Sequence, residues 1–180
     1  ATNQLWVSDI TYWKINKEKH VYISFITDAY SHKIVGYQVA ETLEAIESIK
    51  ALQMALSALG TASNLNIIHH SDRGIQYCSH AYVKLLQDYD IKISMTENGD
   101  PLENAIAERI NGIIKGEYLE NYEVENINRA KKLLKAVVDL YNNENQQGFY
   151  NMESNKTKEM EYFQQKILKA DELVFVFPYW

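Results

Sequence analysis

Trp6-Val7-Ser8-Asp9-Ile10-Thr11-Tyr12 belongs to a β-rich run that begins at Leu5, and its one acidic residue is Asp9. Aromatic and β-branched residues dominate the run, which predicts a buried strand over residues 5–11. An ionised carboxylate in a buried strand is costly unless a cation or another charged group requires it there. The stretch therefore predicts both the first strand of the fold and a functional role for Asp9.

Two more strands and an alternation of helices and strands are predicted after this run. Residues 21–27 and 33–40 are β-rich and are joined by hairpin-length connections. The elements predicted next are a helix over residues 42–60, a strand over 66–69, a helix over 81–86, a strand over 92–95, a helix over 100–119 and a helix from 126. The polar run after Asn142 predicts an exposed turn, followed by a short helix from Thr157 and an apolar tail.

This order, β-β-β-α-β-α-β-α-α, predicts an α/β fold in which helices flank a mixed five-stranded sheet. It is the architecture of the ribonuclease-H-like fold. The pattern contains no internal repeat and no Pro/Gly/Ser-rich linker. We therefore expect a catalytic core over residues 1–165 and a tail of uncertain placement over 166–180.

Composition restricts the class of protein. The chain has 180 residues, of which 46% are apolar and 23% charged, as in an ordinary globular domain. Its single cysteine, Cys78, excludes an internal disulfide and suits a reducing compartment. No apolar run approaches the roughly 20 residues that a membrane span needs, so no membrane partner is expected. The net charge of −6 argues against tight autonomous DNA binding, although clustered metal-binding acids would contribute to it.

Two other acids occur where strand and helix patterns place functional groups. Asp72 follows the predicted fourth strand in His69-His70-Ser71-Asp72-Arg73-Gly74, and Glu108 lies early in a predicted helix in Asn104-Ala105-Ile106-Ala107-Glu108-Arg109. A lone Asp near a strand end is usually a turn residue, and a lone Glu on a helix is usually solvated. Three acids in three such contexts together predict a two-metal phosphoryl-transfer site.

These phrases resemble the integrase catalytic core of bacterial insertion-sequence transposases, a group similar to retroviral integrases. A fourth phrase resembles it as well, namely Asp28-Ala29-Tyr30-Ser31-His32-Lys33-Ile34-Val35-Gly36. The resemblance extends over about residues 3–163. It implies that Asp9, Asp72 and Glu108 are the catalytic residues and the ligands of two Mg²⁺ or Mn²⁺ ions. It also implies DNA partners (transposon ends and a target), a homo-oligomeric active complex, and a nucleoid-associated location in the bacterial cytoplasm. The chain looks like a fragment that a helix-turn-helix region precedes.

The helix that carries Glu108 has a polar stripe formed by Asn104, Glu108, Asn111 and Lys115. The family has a basic residue at the position of Lys115, with a proposed grip on the phosphate of the cut strand. We therefore predict DNA contacts for Lys115, Asn104 and Asn111. The alternative for Lys115 is an ordinary surface lysine.

Several residues near the acids admit two interpretations. Arg73 follows Asp72 and is predicted to touch DNA, with a salt bridge as its alternative. Asp28 also ends a strand, but its place in the family is a structural turn. His69 and His70 favour structural hydrogen bonds over catalysis. Gly74 is expected to give the turn backbone freedom.

One departure and two rival functions remain. The family usually has an Arg and a His where this chain has Asn145 and Gln147, which puts full activity in doubt. The first rival is a ribonuclease-H-like nuclease that cleaves without joining strands. The second is a non-catalytic DNA- or protein-binding module derived from a transposase, and the intact triad speaks against it.

Overall fold

The computed structural model describes residues 1–60, 66–96, 104–120 and 122–152, with side chains as far as residue 144. Its strands are β1 (Leu5–Lys14), β2 (His20–Asp28), β3 (Ile34–Ala40), β4 (Ile68–Ser71) and β5 (Lys92–Met95). Its helices are α1 (Ala45–Ala58), α2 (His80–Asp88), α3 (Ala105–Ile113) and α4 (Ile127–Met152), and a π-helical segment (Ile114–Leu119) follows α3.

The five strands form one mixed sheet in the order β3-β2-β1-β4-β5. β1, β2 and β3 pair antiparallel, as hairpin connections allow, whereas β1–β4 and β4–β5 pair parallel through helical crossovers. The predicted fold class, a mixed five-stranded sheet with flanking helices, is confirmed.

Each face of the sheet has its own hydrophobic core because alternate residues of a strand point to opposite faces. Leu5, Val7 and Trp13 of β1 belong to the core that also contains α3 and α4. Trp6 lies in the other core, which includes residues of α1 and α2. At Gly36 of β3 an added Cβ would lie 2.2 Å from the carbonyl oxygen of Ala51, so only glycine permits this approach of α1.

Asp9 lies on the α3/α4 face of β1, two residues from Val7, and this places a carboxylate at the margin of a core. The apolar stripe of α3, which lies opposite Glu108 in the sequence pattern, is buried at Ile106, Ile110 and Ile114. That stripe seats α3 on the sheet and thereby brings the polar side of the helix to the end of β1.

The prediction of an exposed turn after Asn142 is wrong, because α4 continues past this residue to Met152. The Asn142 side chain has a structural role: its Oδ1 accepts from the backbone N–H of Ile34 at 2.9 Å, and its Nδ2 donates to the Ile34 carbonyl at 2.9 Å. In the sequence, a polar residue that forms hydrogen bonds with the backbone of an edge strand cannot be told from a loop residue. Asp100, Pro101, the helix from Thr157 and the tail over residues 166–180 lie outside the described residues.

Smaller differences concern element ends. β4 occupies Ile68–Ser71, two residues later than predicted, and α1 begins at Ala45 with Glu44 before it, not at Thr42. Gly60, with φ of 61°, follows α1 as predicted. No helix in the described part of the chain is long and apolar enough to cross a bilayer.

Candidate active site

The parallel pairing of β1 with β4 brings Asp9 and Asp72 together. The last pair in register is Ser8 with Ser71, so the two acids are the next residues on neighbouring strands. Neighbouring strands lie about 4.8 Å apart, and both carboxylates therefore emerge at the same edge of the site. The sixty-odd residues between these acids in the chain do not separate them in space.

Helix α3 supplies the third acid. Asn111 Nδ2 donates to Asp9 Oδ2 at 2.7 Å, which fixes α3 against the end of β1. Glu108 precedes Asn111 by three residues and lies on the same side of the helix, because residues three apart are neighbours on a helix surface. Asp72 and Glu108 are exposed and Asp9 is half-buried.

The pKa of Asp9 is affected by both of the other acids. Its pKa is raised to about 6, mainly by burial and also by the negative charges of Asp72 and Glu108, against the lowering effect of hydrogen bonds from Ile10 and Asn111. Like charges that all act on one carboxylate are typical of a site where a cation completes the charge balance. Each of the three predicted acids therefore acts on the same small region.

The site offers oxygen donors of the kind that hard divalent cations take. Within the described residues, no three His, Cys, Asp or Glu side chains are already gathered closely enough to form a metal group. A bound cation would offset the mutual repulsion of three clustered carboxylates. The Oδ1 atoms of Asn104 and Asn111 are buried with no hydrogen-bond partner in the part of the chain that the structure describes, and they suit a polar ligand.

The loop after β4 holds Asp72 through its own backbone. Gly74 N–H donates to Asp72 Oδ1 at 2.9 Å. A Cβ on Gly74 would lie 2.8 Å from the same oxygen. The φ of Gly74 is not positive. The expected backbone freedom is thus not what Gly74 supplies; the glycine is required because the carboxylate lies against its backbone.

The predicted DNA-contact residues occupy three different settings. Arg73 is exposed, and its Nε donates to the Thr96 carbonyl at 2.7 Å, which joins the loop to the end of β5. Lys115 is half-buried in the π-helical segment, and its Nζ lies 4.2 Å from the centre of the Tyr12 ring. Sequence reasoning missed Tyr12, because a residue three positions after Asp9 on a strand is expected on the opposite face.

Asn104 and Asn111 are each only 5% exposed and face β1. Asn104 Nδ2 donates to the Ser8 carbonyl at 3.2 Å, next to the contact of Asn111 with Asp9. Both amides therefore fix the residues around Asp9. The predicted DNA contacts of these two residues remain predictions.

Behind the acids lies a buried polar network that the sequence did not reveal as a unit. His69 Nε2 lies 2.7 Å from Ser8 Oγ and 2.9 Å from the Tyr82 hydroxyl. Burial lowers the pKa of His69 to about 3, with a smaller contribution from His70, so its ring is neutral at physiological pH. The structural interpretation of His69 is thus confirmed, and that of His70 agrees with its 2.9 Å contact with Ser94 Oγ.

Asp28, the rival acid, is a structural turn residue as expected. It is 1% exposed, and its two oxygens accept from the backbone N–H groups of Asn3 and Ser31 and from the Ser31 hydroxyl. Its carboxylate therefore has no free oxygen to offer to the site.

The sequence matches known proteins over most of the residues that the structure describes. An integrase core domain profile matches residues 1–101, and a second integrase core domain profile matches residues 89–146. The chain is 35% identical over 144 residues to the transposase for insertion sequence element IS629 of Shigella sonnei, covering 78% of this chain and 46% of that protein. It is 30% identical over 142 residues to the putative transposase InsK for IS150 of Escherichia coli K12, covering 78% and 48%.

A third relative is the IS600 31 kDa protein of Shigella sonnei, which is 35% identical over 79% of this chain and 52% of its own length. The chain thus spans about half the length of these curated relatives.

Solved structures share the fold at low identity. The catalytic domain of Mos1 mariner transposase superposes with a TM-score of 0.62 at 13% identity, over 91% of this chain and 76% of that one. The HTLV-2 integrase catalytic core domain gives 0.58 at 21% identity, over 76% and 84%. These likenesses establish a ribonuclease-H-like architecture. With a profile matched over more than half of its residues, the chain belongs to the integrase core domain family.

Proposed function

We propose that the chain is the catalytic core of an insertion-sequence transposase, and that Asp9, Asp72 and Glu108 hold the divalent cations with which it cuts and joins DNA. The observation that supports this most strongly is the β1–β4 register, which makes Asp9 and Asp72 the next residues on neighbouring strands, together with the Asn111 bond that holds the helix of Glu108 against Asp9. In a chain of the integrase core domain family, such a cluster of carboxylates is suited to metal-dependent phosphoryl transfer.

The donor set favours Mg²⁺ or Mn²⁺, because all three side chains offer hard oxygen ligands and no thiolate takes part. Two ions would lower the pKa of an attacking water or DNA 3′-hydroxyl and offset charge on the leaving 3′-oxygen. Divalent cations accompany related catalytic domains, since the HTLV-2 core was solved with magnesium and the Mos1 domain with Mn or Mg.

The protein's own part is to position these groups. Asn111 donates to Oδ2 of Asp9 and thereby fixes the orientation of this carboxylate. Gly74 N–H does the same for Asp72. In cleavage, the oxygen of water bonds to phosphorus while the P–O3′ bond breaks. In joining, the freed 3′-hydroxyl replaces water at a target phosphate. Lys115 and Arg73 would bind the flanking phosphates, and DNA contacts of the buried Asn104 and Asn111 are part of the same proposal.

The partners follow from the reaction. Transposon ends and a target are the DNA substrates, and two ends require more than one catalytic core, so the active complex is a homo-oligomer. The HTLV-2 core domain is described in dimeric and trimeric forms. A protein that acts on chromosomal DNA would associate with the nucleoid.

Strand joining separates this function from that of a ribonuclease-H-like nuclease, the first alternative. The test uses a labelled transposon-end duplex with a supercoiled target in Mn²⁺ or Mg²⁺. Cleavage followed by joining of the 3′ end supports a transposase, cleavage alone supports the nuclease, and neither supports the non-catalytic module.

Variants that remove the charge of each acid test whether the reaction takes place at this site. Asp9→Asn, Asp72→Asn and Glu108→Gln should each lower the rate by at least about 1000-fold, as expected for loss of a metal ligand that stabilises transition-state charge. Asp88→Asn is the matched control, because Asp88 is an exposed acid that pairs with Lys84 on α2. Equal loss in the control, or activity in all three variants, would refute the assignment.

A further inference from the structure

The end of the sheet beyond the cover of α1 exposes aromatic and basic side chains on one face. Tyr12 pairs in register with Tyr22, and Lys14 pairs with His20, so all four side chains lie on the same face. Tyr12 is 59% exposed, Lys14 and His20 are exposed, and Tyr22 is half-buried. An exposed tyrosine among basic residues at a strand end has little to contribute to the core.

Lys115 and His20 flank the Tyr12 ring. Lys115 Nζ lies 4.2 Å from the ring centre, and the His20 ring meets the Tyr12 ring edge-on with 6.2 Å between centroids. No acid in the described part of the chain forms an ion pair with Lys14 or Lys115, whereas nearby Lys19 is paired with Glu41. In a chain of net charge −6, these two lysines are therefore available to bind an anionic ligand.

The surface adjoins the acid cluster across the edge of β1. β1 continues beyond its last pairing with β4 at Ser8, and Tyr12, three residues after Asp9, points to the opposite face of the strand. At about 3.3 Å per residue, their Cα atoms are about 10 Å apart. Lys115 connects the two regions, because it lies two turns beyond Glu108 and its ammonium group rests on Tyr12.

We propose that the Tyr12 surface, formed by Tyr12, Lys14, His20, Tyr22 and Lys115, binds unpaired DNA next to the cleavage site. A base stacks on Tyr12, and the cations bind the phosphates of the same strand. Exposed aromatic rings bordered by unpaired cations are the means by which proteins bind single-stranded nucleic acid without reading its sequence. This inference rests on the proposed function and adds that the DNA end must be locally unpaired.

Fluorescence anisotropy in EDTA, where no strand is cut, tests the surface. The probes are a short fluorescein-labelled single strand and a blunt duplex of the same sequence. Tyr12→Leu should weaken binding of the single strand by about fivefold or more, the loss expected for one stacked base. The duplex should lose less, because its bases are not available for stacking. Tyr12→Phe keeps the ring and should bind as the original protein does.

The matched control is Tyr89→Leu, because Tyr89 is 55% exposed and directly follows α2. For charge, Lys14→Gln should lower the slope of log affinity against log salt concentration by about 0.7, the value for one phosphate contact on single strands. Lys33→Gln, an exposed lysine before β3, should leave the slope unchanged.

Unchanged single-strand affinity in Tyr12→Leu, or an equal loss in Tyr89→Leu, overturns the inference. That outcome is distinct from failure of the proposed function, which is measured by metal-dependent cleavage in the original protein. An equal loss for the single strand and the duplex also overturns it, because it would assign Tyr12 to backbone contact alone.

Discussion

Asn111 donates a 2.7 Å hydrogen bond to Asp9 Oδ2, and this contact joins the helix that carries Glu108 to the strand that carries Asp9. Asn111 is 5% exposed, so the bond is shielded from competing water. Its effect is to orient one carboxylate oxygen and to lower the pKa of Asp9 against the opposing effect of burial.

Replacing Asn111 by Leu should therefore weaken metal binding before any DNA is present. Outer partners of metal ligands are typically worth about 10- to 100-fold in metal affinity or activity. Titration with Mn²⁺ measures the effect, with Asn143→Leu, an exposed neighbour of Asn142 on α4, as the control. Full metal affinity combined with reduced DNA affinity would show that Asn111 contacts DNA and does not act through Asp9.

The raised pKa of Asp9 predicts how the metal-free protein responds to pH. The pKa in the folded state is about 6 against an ordinary 3.8. Folding therefore disfavours the ionised form, and the resulting cost is fully present above pH 6. It is relieved as the pH falls from about 6 to about 4, because the folded state takes up the proton first.

Comparison with Asp9→Asn isolates this effect. In EDTA at pH 8, the variant should have the higher free energy of unfolding by up to about 3 kcal/mol, and this advantage should shrink toward pH 4. Urea denaturation at several pH values measures it. An advantage for the variant that does not change with pH would contradict the assignment of the raised pKa to Asp9.

The Ser8–His69–Tyr82 network should stabilise the pairing of β1 with β4. The Tyr82 hydroxyl lies 2.9 Å from Nε2 of the neutral His69, so Tyr82→Phe removes one buried hydrogen bond. We expect a loss of about 1 kcal/mol in the free energy of unfolding. Tyr89→Phe, which alters an exposed hydroxyl, is the control. Equal stability of Tyr82→Phe and the original protein would refute the contribution.

Gly74 and Gly112 offer a matched pair of glycine substitutions. In Gly74→Ala the new methyl group would lie 2.8 Å from Asp72 Oδ1, so the carboxylate must move and metal affinity should fall by about tenfold. Gly112→Ala adds a methyl group to an exposed helical position with no atom within 4 Å, and it should raise stability by about 1 kcal/mol. Comparable metal affinity in both variants would show that the loop tolerates the displacement of Asp72.

The sequence predicted the fold because its signals were local. The β-rich run of β1 and the apolar stripe of α3 are contained in single segments, and the structure has a strand and a buried helix face there. The continuation of α4 through Asn142 was missed because the amide's partner, the backbone of Ile34, is distant in the chain. Single-chain patterns contain no information about such a pairing.

The same distinction applies to the site. Motif and context were enough to propose Asp9, Asp72 and Glu108 as site residues. Their proximity in space depends on the β1–β4 register and on the packing of α3 against β1. Tyr12 and the buried environment of Asn111 were not anticipated. Their roles arise where the end of one strand meets the side of a helix, and neither segment reveals the other.

The most direct test of the account is calorimetric titration of Mn²⁺ into the chain in the presence of a transposon-end duplex. We predict binding of two ions per chain in the original protein, and a loss of at least about tenfold in affinity in Asp72→Asn, with Asp88→Asn unchanged. Binding that is unaffected by Asp9→Asn, Asp72→Asn and Glu108→Gln would contradict the claim that these three carboxylates form one cation site.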